Sequence, residues 1–152
     1  MSNLQDTYGP ETICFGCGPA NEDGLQIKSH VEGDVVVADW TPEPHHQAFH
    51  GVINGGIIGS LLDCHSNWTA AWHLFDTRAD GTFPVTVTAD FHVKLRRPTP
   101  AGVPLHLEAR VVESADPRVV VEATLEADGK VCATCRATFI AVEEGHPAYH
   151  RW

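Results

Sequence analysis

The spacing of apolar and polar residues changes along this 152-residue chain, and the change predicts where one long helix lies. From Asn54 onward, large side chains recur every three or four residues, at Ile57, Ile58, Leu61, Leu62, His65, Trp68 and Trp72. This spacing is typical of one amphipathic helix, which we expect to run to about His73. Asn54 is a favourable N-cap residue, so the helix is predicted to begin directly after it.

The rest of the chain alternates with the two-residue period of β-strands. In residues 85–96 the alternation is unbroken and predicts one face with Val85, Val87, Ala89, Phe91, Val93 and Leu95. Three further strands are predicted at 104–114, 119–127 and 130–142, joined by turns at 115–117 and 128–129. Residues 25–30 and 34–40 are predicted to form a first hairpin. Two prolines make 41–51 an extended loop.

This order of elements indicates an α+β protein with a single helix and a four-strand antiparallel meander. Long strands with one helix to cover them imply a curved sheet wrapped around that helix. Residues 1–24 contain frequent Gly-Pro and Asp-Gly turns and are interpreted as a loop-like N-terminal arm. Residues 25–142 form the single domain, and the tail 143–152 has no period and is expected to fray.

Composition narrows the classes of protein that fit. A chain with 43% hydrophobic and 20% charged residues is typical of one globular domain. The formal net charge of -10 argues against a nucleic-acid partner. No apolar run approaches the roughly 18 residues that a membrane span requires, and the start of the chain lacks signal-peptide features. A cytoplasmic protein without a membrane or nucleic-acid partner is therefore expected.

Two pairs among the five cysteines raise the question of a metal site. Cys14 and Cys17 lie in a turn-like segment, but Cys132 and Cys135 lie in a predicted strand, where residues three apart point to opposite faces. The sequence therefore favours packed thiols over a four-thiolate zinc site. A metal site made by Asp63 with the histidines of the 41–51 loop is also disfavoured, because the spacing matches no known ligand pattern. No metal is predicted.

The second face of the predicted helix is the most informative feature for function. Small and polar side chains follow it at the same spacing, namely Gly56, Gly59, Ser60, Asp63, Ser66, Asn67 and Ala70. Glycine inside a helix costs about 1 kcal/mol, so two of them favour a ligand site over a solvated face. Asp63 could act there as a nucleophile or a general base. The N–H groups of Asn54, Gly55 and Gly56 could polarise a carbonyl oxygen.

Neighbouring helix residues have a simpler interpretation. His65 lies on the apolar face and is expected to be a core histidine, and Cys64 is expected to pack in the interior. Trp68, Trp72 and Phe83 could shape an aromatic or medium-chain pocket, or could simply be core residues.

Three stretches together resemble the acyl-CoA thioesterases of the hot-dog fold, in the phenylacetate-pathway and THEM-type branch. The segment Asn54-Gly-Gly-Ile-Ile-Gly-Ser-Leu-Leu-Asp63 resembles their HGG-x4-LxD/E helix start. Cys14-Phe-Gly-Cys-Gly-Pro19 with Gly24-Leu25 is similar to the N-terminal arm of many bacterial members. Thr88 to Pro100 is similar to the strand and RP-x-P turn that follow the helix. The likeness extends over roughly residues 14–142.

The resemblance implies a role for each matching position. Asp63 would be the catalytic carboxylate, and the Gly55 N–H would bind the thioester oxygen. Thr88 would help to hold the water from the other subunit, and Gln47 would lie beside the thioester. Arg96 and Arg97 would contact the phosphates of coenzyme A, which enters as part of the substrate and not as a cofactor.

One departure from the family pattern leaves alternatives open. The usual His before the two glycines is Asn54 here, which loses an ionisable group, and His50 is a candidate substitute. The resemblance implies a thioesterase that works as a homodimer or homotetramer, because the site of this family is built across two chains. The alternatives are a non-catalytic acyl-CoA-binding or aryl-CoA-binding protein and a hot-dog dehydratase or hydratase.

Overall fold

The computed structural model describes residues 2–152, in which an antiparallel sheet wraps around one long helix. The helices are α1 (Leu4–Tyr8) and α2 (Gly55–Arg78), and a 3-10 turn spans Pro44–His46. The strands are β1 (His30–Glu32), β2 (Val35–Trp40), β3 (Gln47–Phe49), β4 (Val52–Ile53), β5 (Val85–Leu95), β6 (Leu105–Ala115), β7 (Arg118–Ala127) and β8 (Lys130–Val142). The sheet order is β1-β2-β6-β7-β8-β5, and β3 pairs with β4 separately. This α+β arrangement is the hot-dog fold, as the sequence predicts.

Helix α2 begins where the sequence predicts and extends five residues further. The Asn54 side chain accepts hydrogen bonds from the N–H groups of Gly56 and Ile57, which caps the first turn. Leu74, beyond the expected end, is fully buried and keeps the helix packed. The helix ends at Arg78, followed by Ala79 in the left-handed conformation with φ 52°. No helix within residues 2–152 is long and apolar enough to cross a membrane.

Strand β5 lies at the far edge of the sheet, which corrects the predicted four-strand meander. Of the four strands predicted to form the meander, β6, β7 and β8 follow one another as neighbours in the sheet, whereas β5 pairs with β8 instead of β6. The edge of β6 that β5 would have used is occupied by β2, which pairs with it over five residues from Val36 to Trp40. As a result β5 runs along α2, and its second edge is unpaired among residues 2–152.

A β-bulge in β5 overturns the predicted alternation of its faces. Thr88 lies opposite the buried Phe139, whereas the next paired residue, Asp90, lies opposite Thr138. Ala89 is therefore an extra residue, and it shifts the side-chain alternation by one position. Before the bulge the threonines face the helix, and after it Phe91 does, opposite the buried Ala137.

The core lies between the apolar face of α2 and the concave face of the sheet. Leu61, Leu62 and Trp68 are fully buried there, and each side chain of this size contributes about 1.5–3 kcal/mol on burial.

His65 is also fully buried, as predicted. Its Nε2 donates to the Val36 carbonyl oxygen at 2.9 Å, and its Nδ1 accepts from the Ser29 hydroxyl at 2.8 Å. Burial lowers the pKa of His65 to about 4, so this ring is neutral near pH 7.

The N-terminal arm is more ordered than its turn-rich sequence suggests. Helix α1 lies within it, capped by Asn3. Gln5 is fully buried and binds Ser29 through both amide atoms, at 2.9 and 2.8 Å. Because Ser29 also contacts His65, the arm is joined to α2 by a buried polar network.

The C-terminal tail is docked and does not fray. The Trp152 ring stacks on Trp68 with centroids 4.4 Å apart, and its indole N–H donates to the Pro84 carbonyl oxygen at 3.1 Å. These contacts extend an aromatic cluster between α1 and α2 that contains Tyr8, Trp72, Phe75 and Phe83. Trp68 is therefore a core residue, whereas Trp72 and Phe83 pack against the core and stay partly exposed.

Candidate active site

An open pocket of about 330 Å³ lies along the first half of α2. One wall is the small-residue face of the helix, and the other is the part of β5 that follows the bulge. The lining residues are Gly55, Gly56, Gly59, Ser60, Asp63, Phe91, Val93 and Leu95. A side-chain carbon at Gly59 would lie 3.8 Å from the Phe91 ring. Because these glycines have no side chain, the helix side of the pocket leaves room for a ligand.

Asp63 is the one ionisable group that lines this pocket. It is half-buried, and burial is the main reason why its pKa lies above the ordinary value. The Thr88 hydroxyl donates to Oδ1 of Asp63 at 2.7 Å and offsets part of that rise. This bond holds the carboxylate in one orientation, so Asp63 can accept a proton or attack a carbonyl carbon.

Thr88 comes from the same chain as Asp63, which corrects the expectation that it reaches in from another subunit. The correction follows from the position of β5, which runs antiparallel to β8 and beside α2 within the protomer. The bulge at Ala89 then leaves Thr88 on the helix side of the strand.

The start of α2 keeps one free backbone donor. Asn54 uses its side-chain oxygen on the Gly56 and Ile57 N–H groups at 2.8 and 3.1 Å. Across residues 2–152, no acceptor takes the Gly55 N–H. The positive end of the helix dipole adds to the polarity of that group. Asn54 thus acts as a helix cap, and Gly55 is left able to bind an oxygen atom.

The second half of the small-residue face is closed. Ser66, Asn67 and Ala70 are buried, so they contact the protein interior and not a ligand. Asn67 accepts from the Thr86 hydroxyl at 2.6 Å. Asn67 therefore lies outside the open pocket, because β5 covers the residue before the bulge.

Gln47 and His50 lie away from Asp63 within the chain. They line a separate pocket of about 310 Å³ between the 41–51 segment and Gly102. The Gln47 amide is used locally, donating to the Pro44 carbonyl oxygen and accepting from the Gly51 N–H. Neither residue lines the Asp63 pocket.

Arg96 and Arg97 are exposed at the end of β5 and do not line the Asp63 pocket. Arg96 donates to the Thr134 hydroxyl at 3.1 Å, on the outer face of the sheet. It lines a pocket of about 510 Å³ with His92, Lys94 and Arg136. Lys94 and Arg96 thus lie on the opposite side of β5 from the carboxylate.

Cysteine and histidine side chains form two further clusters among residues 2–152. The sulfur atoms of Cys14, Cys17 and Cys64 lie within 4.8 Å of one another. Sequence analysis missed the contribution of Cys64, since 47 residues or more separate it from the pair. The second cluster contains Glu43, His45 and His46 and is largely exposed. It includes neither His50 nor Asp63.

Known proteins with a similar structure identify the family to which this chain belongs. No protein-family model matches the chain, and no curated protein sequence does so. Among solved structures, a thioesterase superfamily protein from Shewanella loihica superposes with a TM-score of 0.66 at 31% identity. The match covers 82% of this chain and 98% of that protein. The chain therefore belongs to the thioesterase superfamily.

Two more distant structures agree on the fold. The E. coli PaaI protein from the phenylacetic acid degradation operon has a TM-score of 0.66 and 18% identity, over 78% of this chain and 81% of that one. A Streptococcus mutans protein bound to acetyl CoA has a TM-score of 0.62 and 17% identity, over 76% and 88%.

Proposed function

We propose that this protein is an acyl-CoA thioesterase, which hydrolyses a thioester to a carboxylate and free coenzyme A. The observation that carries the proposal is the half-buried Asp63 carboxylate on an open, glycine-floored pocket, held by Thr88. Membership of the thioesterase superfamily supports the reaction type. The Streptococcus structure with acetyl CoA supports the class of substrate.

The proposed chemistry assigns different tasks to the helix start and to the carboxylate. The Gly55 N–H donates to the thioester oxygen and stabilises the negative charge that develops there. Asp63 removes a proton from the attacking water, or attacks the carbonyl carbon itself. In the first route the thiolate of coenzyme A leaves with the proton taken from water, and the acyl group leaves as a carboxylate. In the second route the departing thiolate leaves an anhydride between Asp63 and the acyl group. A water molecule hydrolyses this anhydride, which restores Asp63 and releases the carboxylate, and the thiolate takes up a proton released by that water.

The length of α2 argues that one site uses two chains. With a rise of about 1.5 Å per residue, the Gly55 N–H lies about 12 Å along the axis from Asp63, too far for both to contact one thioester group. We infer that the Asp63 and Thr88 of one copy meet the Gly55 of a second copy. Gln47 and His50 would approach the thioester from that second copy as well.

The free edge of β5 supports such a dimer. An eleven-residue edge strand with exposed Phe91 and Leu95 would be an aggregation hazard in a monomer. Pairing two β5 strands about a two-fold axis would satisfy both edges and would bring the two pockets side by side.

The first test measures thiol release from short, medium, long and aromatic acyl-CoA esters. Asp63→Asn should lower kcat at least about a hundredfold, since general-base catalysis contributes about 10² to 10⁴. Asp76→Asn is the matched control, because Asp76 lies exposed on the same helix. Full activity in Asp63→Asn would disprove the assignment.

The second test asks whether the site is shared between copies. Gly55→Pro removes the N–H at the first helical position, where proline is tolerated, and Asn54 already has an extended ψ of 132°. The added Cβ would lie 3.3 Å from the Leu95 side chain. Gly55→Ala keeps the N–H and is its control. Mixing Asp63→Asn with Gly55→Pro, each inactive alone, should restore up to about a quarter of the activity through one intact site per mixed dimer. No recovery in proven mixed dimers would contradict the shared site.

A non-catalytic acyl-CoA-binding protein is the second candidate, and Asn54 is the observation that favours it. Its amide is occupied as a helix cap and it lacks the ionisable ring of the usual histidine. Calorimetry with a non-hydrolysable acyl-CoA analogue separates the two functions. Tight binding without thiol release from any ester would favour the binding protein.

A further inference from the structure

Three thiols from two distant segments meet beside the first half of α2. Cys14 and Cys17 come from the N-terminal arm, and Cys64 comes from the helix. Their sulfur atoms lie within 4.8 Å of one another, and those of Cys14 and Cys64 are 3.7 Å apart. Cys17 and Cys64 are buried, whereas Cys14 is half-exposed and leaves a route to solvent.

The backbone around these sulfur atoms is tightly wound, and two glycines permit it. A side-chain carbon at Gly16 would collide with the Cys64 sulfur, and one at Gly18 would collide with the Cys14 backbone. The Gly18 N–H donates to the Cys14 carbonyl oxygen at 2.8 Å, which closes the turn. This turn directs both sulfur atoms of the Cys-x-x-Cys segment towards the helix, as in a metal-binding knuckle.

A buried indole supplies an independent observation. The Trp68 side chain is fully buried, and its N–H has no hydrogen-bond partner among residues 2–152. Trp68 lies one helical turn after Cys64, so its indole is on the same side of α2 as the thiols. An orphaned buried donor is costly, and a metal-bound thiolate is a charged acceptor that would satisfy it.

We propose that Cys14, Cys17 and Cys64 bind one Zn²⁺ ion, which fastens the N-terminal arm to α2. With metal–sulfur distances of about 2.3 Å, ligands of a tetrahedral ion lie about 3.8 Å apart, close to the Cys14–Cys64 separation. Three thiols release three protons to solvent as three Zn–S bonds form, and a water molecule takes the fourth position. Soft thiolate ligands select zinc over magnesium or calcium.

The test uses the full-length protein, reduced and freed of metal, with Co²⁺ as the spectroscopic probe. Titration should give a thiolate-to-cobalt charge-transfer band that saturates at one ion per chain and disappears when one equivalent of Zn²⁺ is added. Zn²⁺ should also raise the Tm, because it binds the folded chain. Absence of the band in folded protein would overturn the proposal.

Cysteine variants locate the ligands. Cys14→Ser, Cys17→Ser and Cys64→Ser should each lose the one-to-one cobalt band and the Tm rise. Cys132→Ala should keep both, since this buried thiol does not belong to the cluster. Substitution of the buried Cys17 or Cys64 can also destabilise the fold, whereas Cys14 is half-exposed. Cys14→Ser is therefore the decisive variant, and circular dichroism checks that it is folded. An unchanged band in folded Cys14→Ser would refute the site.

A disulfide is the competing use of the same thiols. Mass mapping of protein purified without reductant distinguishes the two, and we expect zinc and no disulfide in the cluster. Metal-free protein with a bond between Cys14 and either Cys17 or Cys64 would overturn the zinc site. The proposal is independent of hydrolysis, because Asp63→Asn should abolish thiol release and still bind one Co²⁺ ion.

Discussion

The two halves of the small-residue face of α2 have similar sequences and opposite environments. Gly59 and Ser60 line an open pocket, whereas Asn67 and Ala70 are buried. The difference lies in β5, which packs against the helix before its bulge and turns Phe91, Val93 and Leu95 towards the pocket after it. A stripe of small residues therefore permits close approach, but the opposing strand decides whether a ligand or the protein itself fills the space.

A leucine introduced into each half of this face should give the largest difference between the two halves. Gly59→Leu would fill the pocket and, under the proposed function, lower kcat/KM at least about tenfold, while leucine gains about 0.5–1 kcal/mol of helix propensity. Ala70→Leu has no space to enter and should destabilise the fold by about 1–3 kcal/mol. Thiol release and urea unfolding measure the two effects. Equal loss of stability in both variants would mean that the pocket is not open.

Polar groups in the two halves should also differ in their contribution to stability. Asn67→Ala leaves the Thr86 hydroxyl without its 2.6 Å acceptor inside the protein and should cost about 1–3 kcal/mol of unfolding free energy. Ser60→Ala, in the open half, should change it by less than about 0.5 kcal/mol. Denaturant unfolding of the two variants gives the comparison. A similar cost for both would argue that the hydrogen bond to Thr86 is not made.

Much of this fold can be predicted from the sequence, because α2 and the strands β5 to β8 have strong periods. The start of α2 directly after Asn54 and the ends of β7 and β8 are correct to within a residue. The bulge is the main failure, because Ala89 is an ordinary residue in an unbroken alternation. No local signal marks it, and the pairing of β5 with β8 determines where it falls.

The candidate site also has one part that the sequence predicts and one part that it does not. Asp63, Gly55 and Gly56 can be identified from spacing along one helix, since neighbours on a helix face are three or four residues apart. The pocket wall at Phe91 and Leu95 depends on the bulge, and the meeting of Cys64 with Cys14 depends on how the arm packs. Contacts between residues fifty positions apart are fixed by tertiary packing, which no local pattern encodes.

The last turn of α2 provides the mildest contrast, because Arg78 forms a partly exposed ion pair there with Asp116. Arg78 donates to both carboxylate oxygens of Asp116 at 2.8 and 2.7 Å, and this lowers the Asp116 pKa. Asp116→Asn should therefore cost less than about 1 kcal/mol near pH 7. A depressed carboxyl pKa stabilises the fold above its unfolded value, so the difference from the native protein should shrink as the pH falls from about 5 towards 3. Urea unfolding of both proteins across this range checks the sign, and a difference that grows in acid would assign the Arg78 contact no stabilising role.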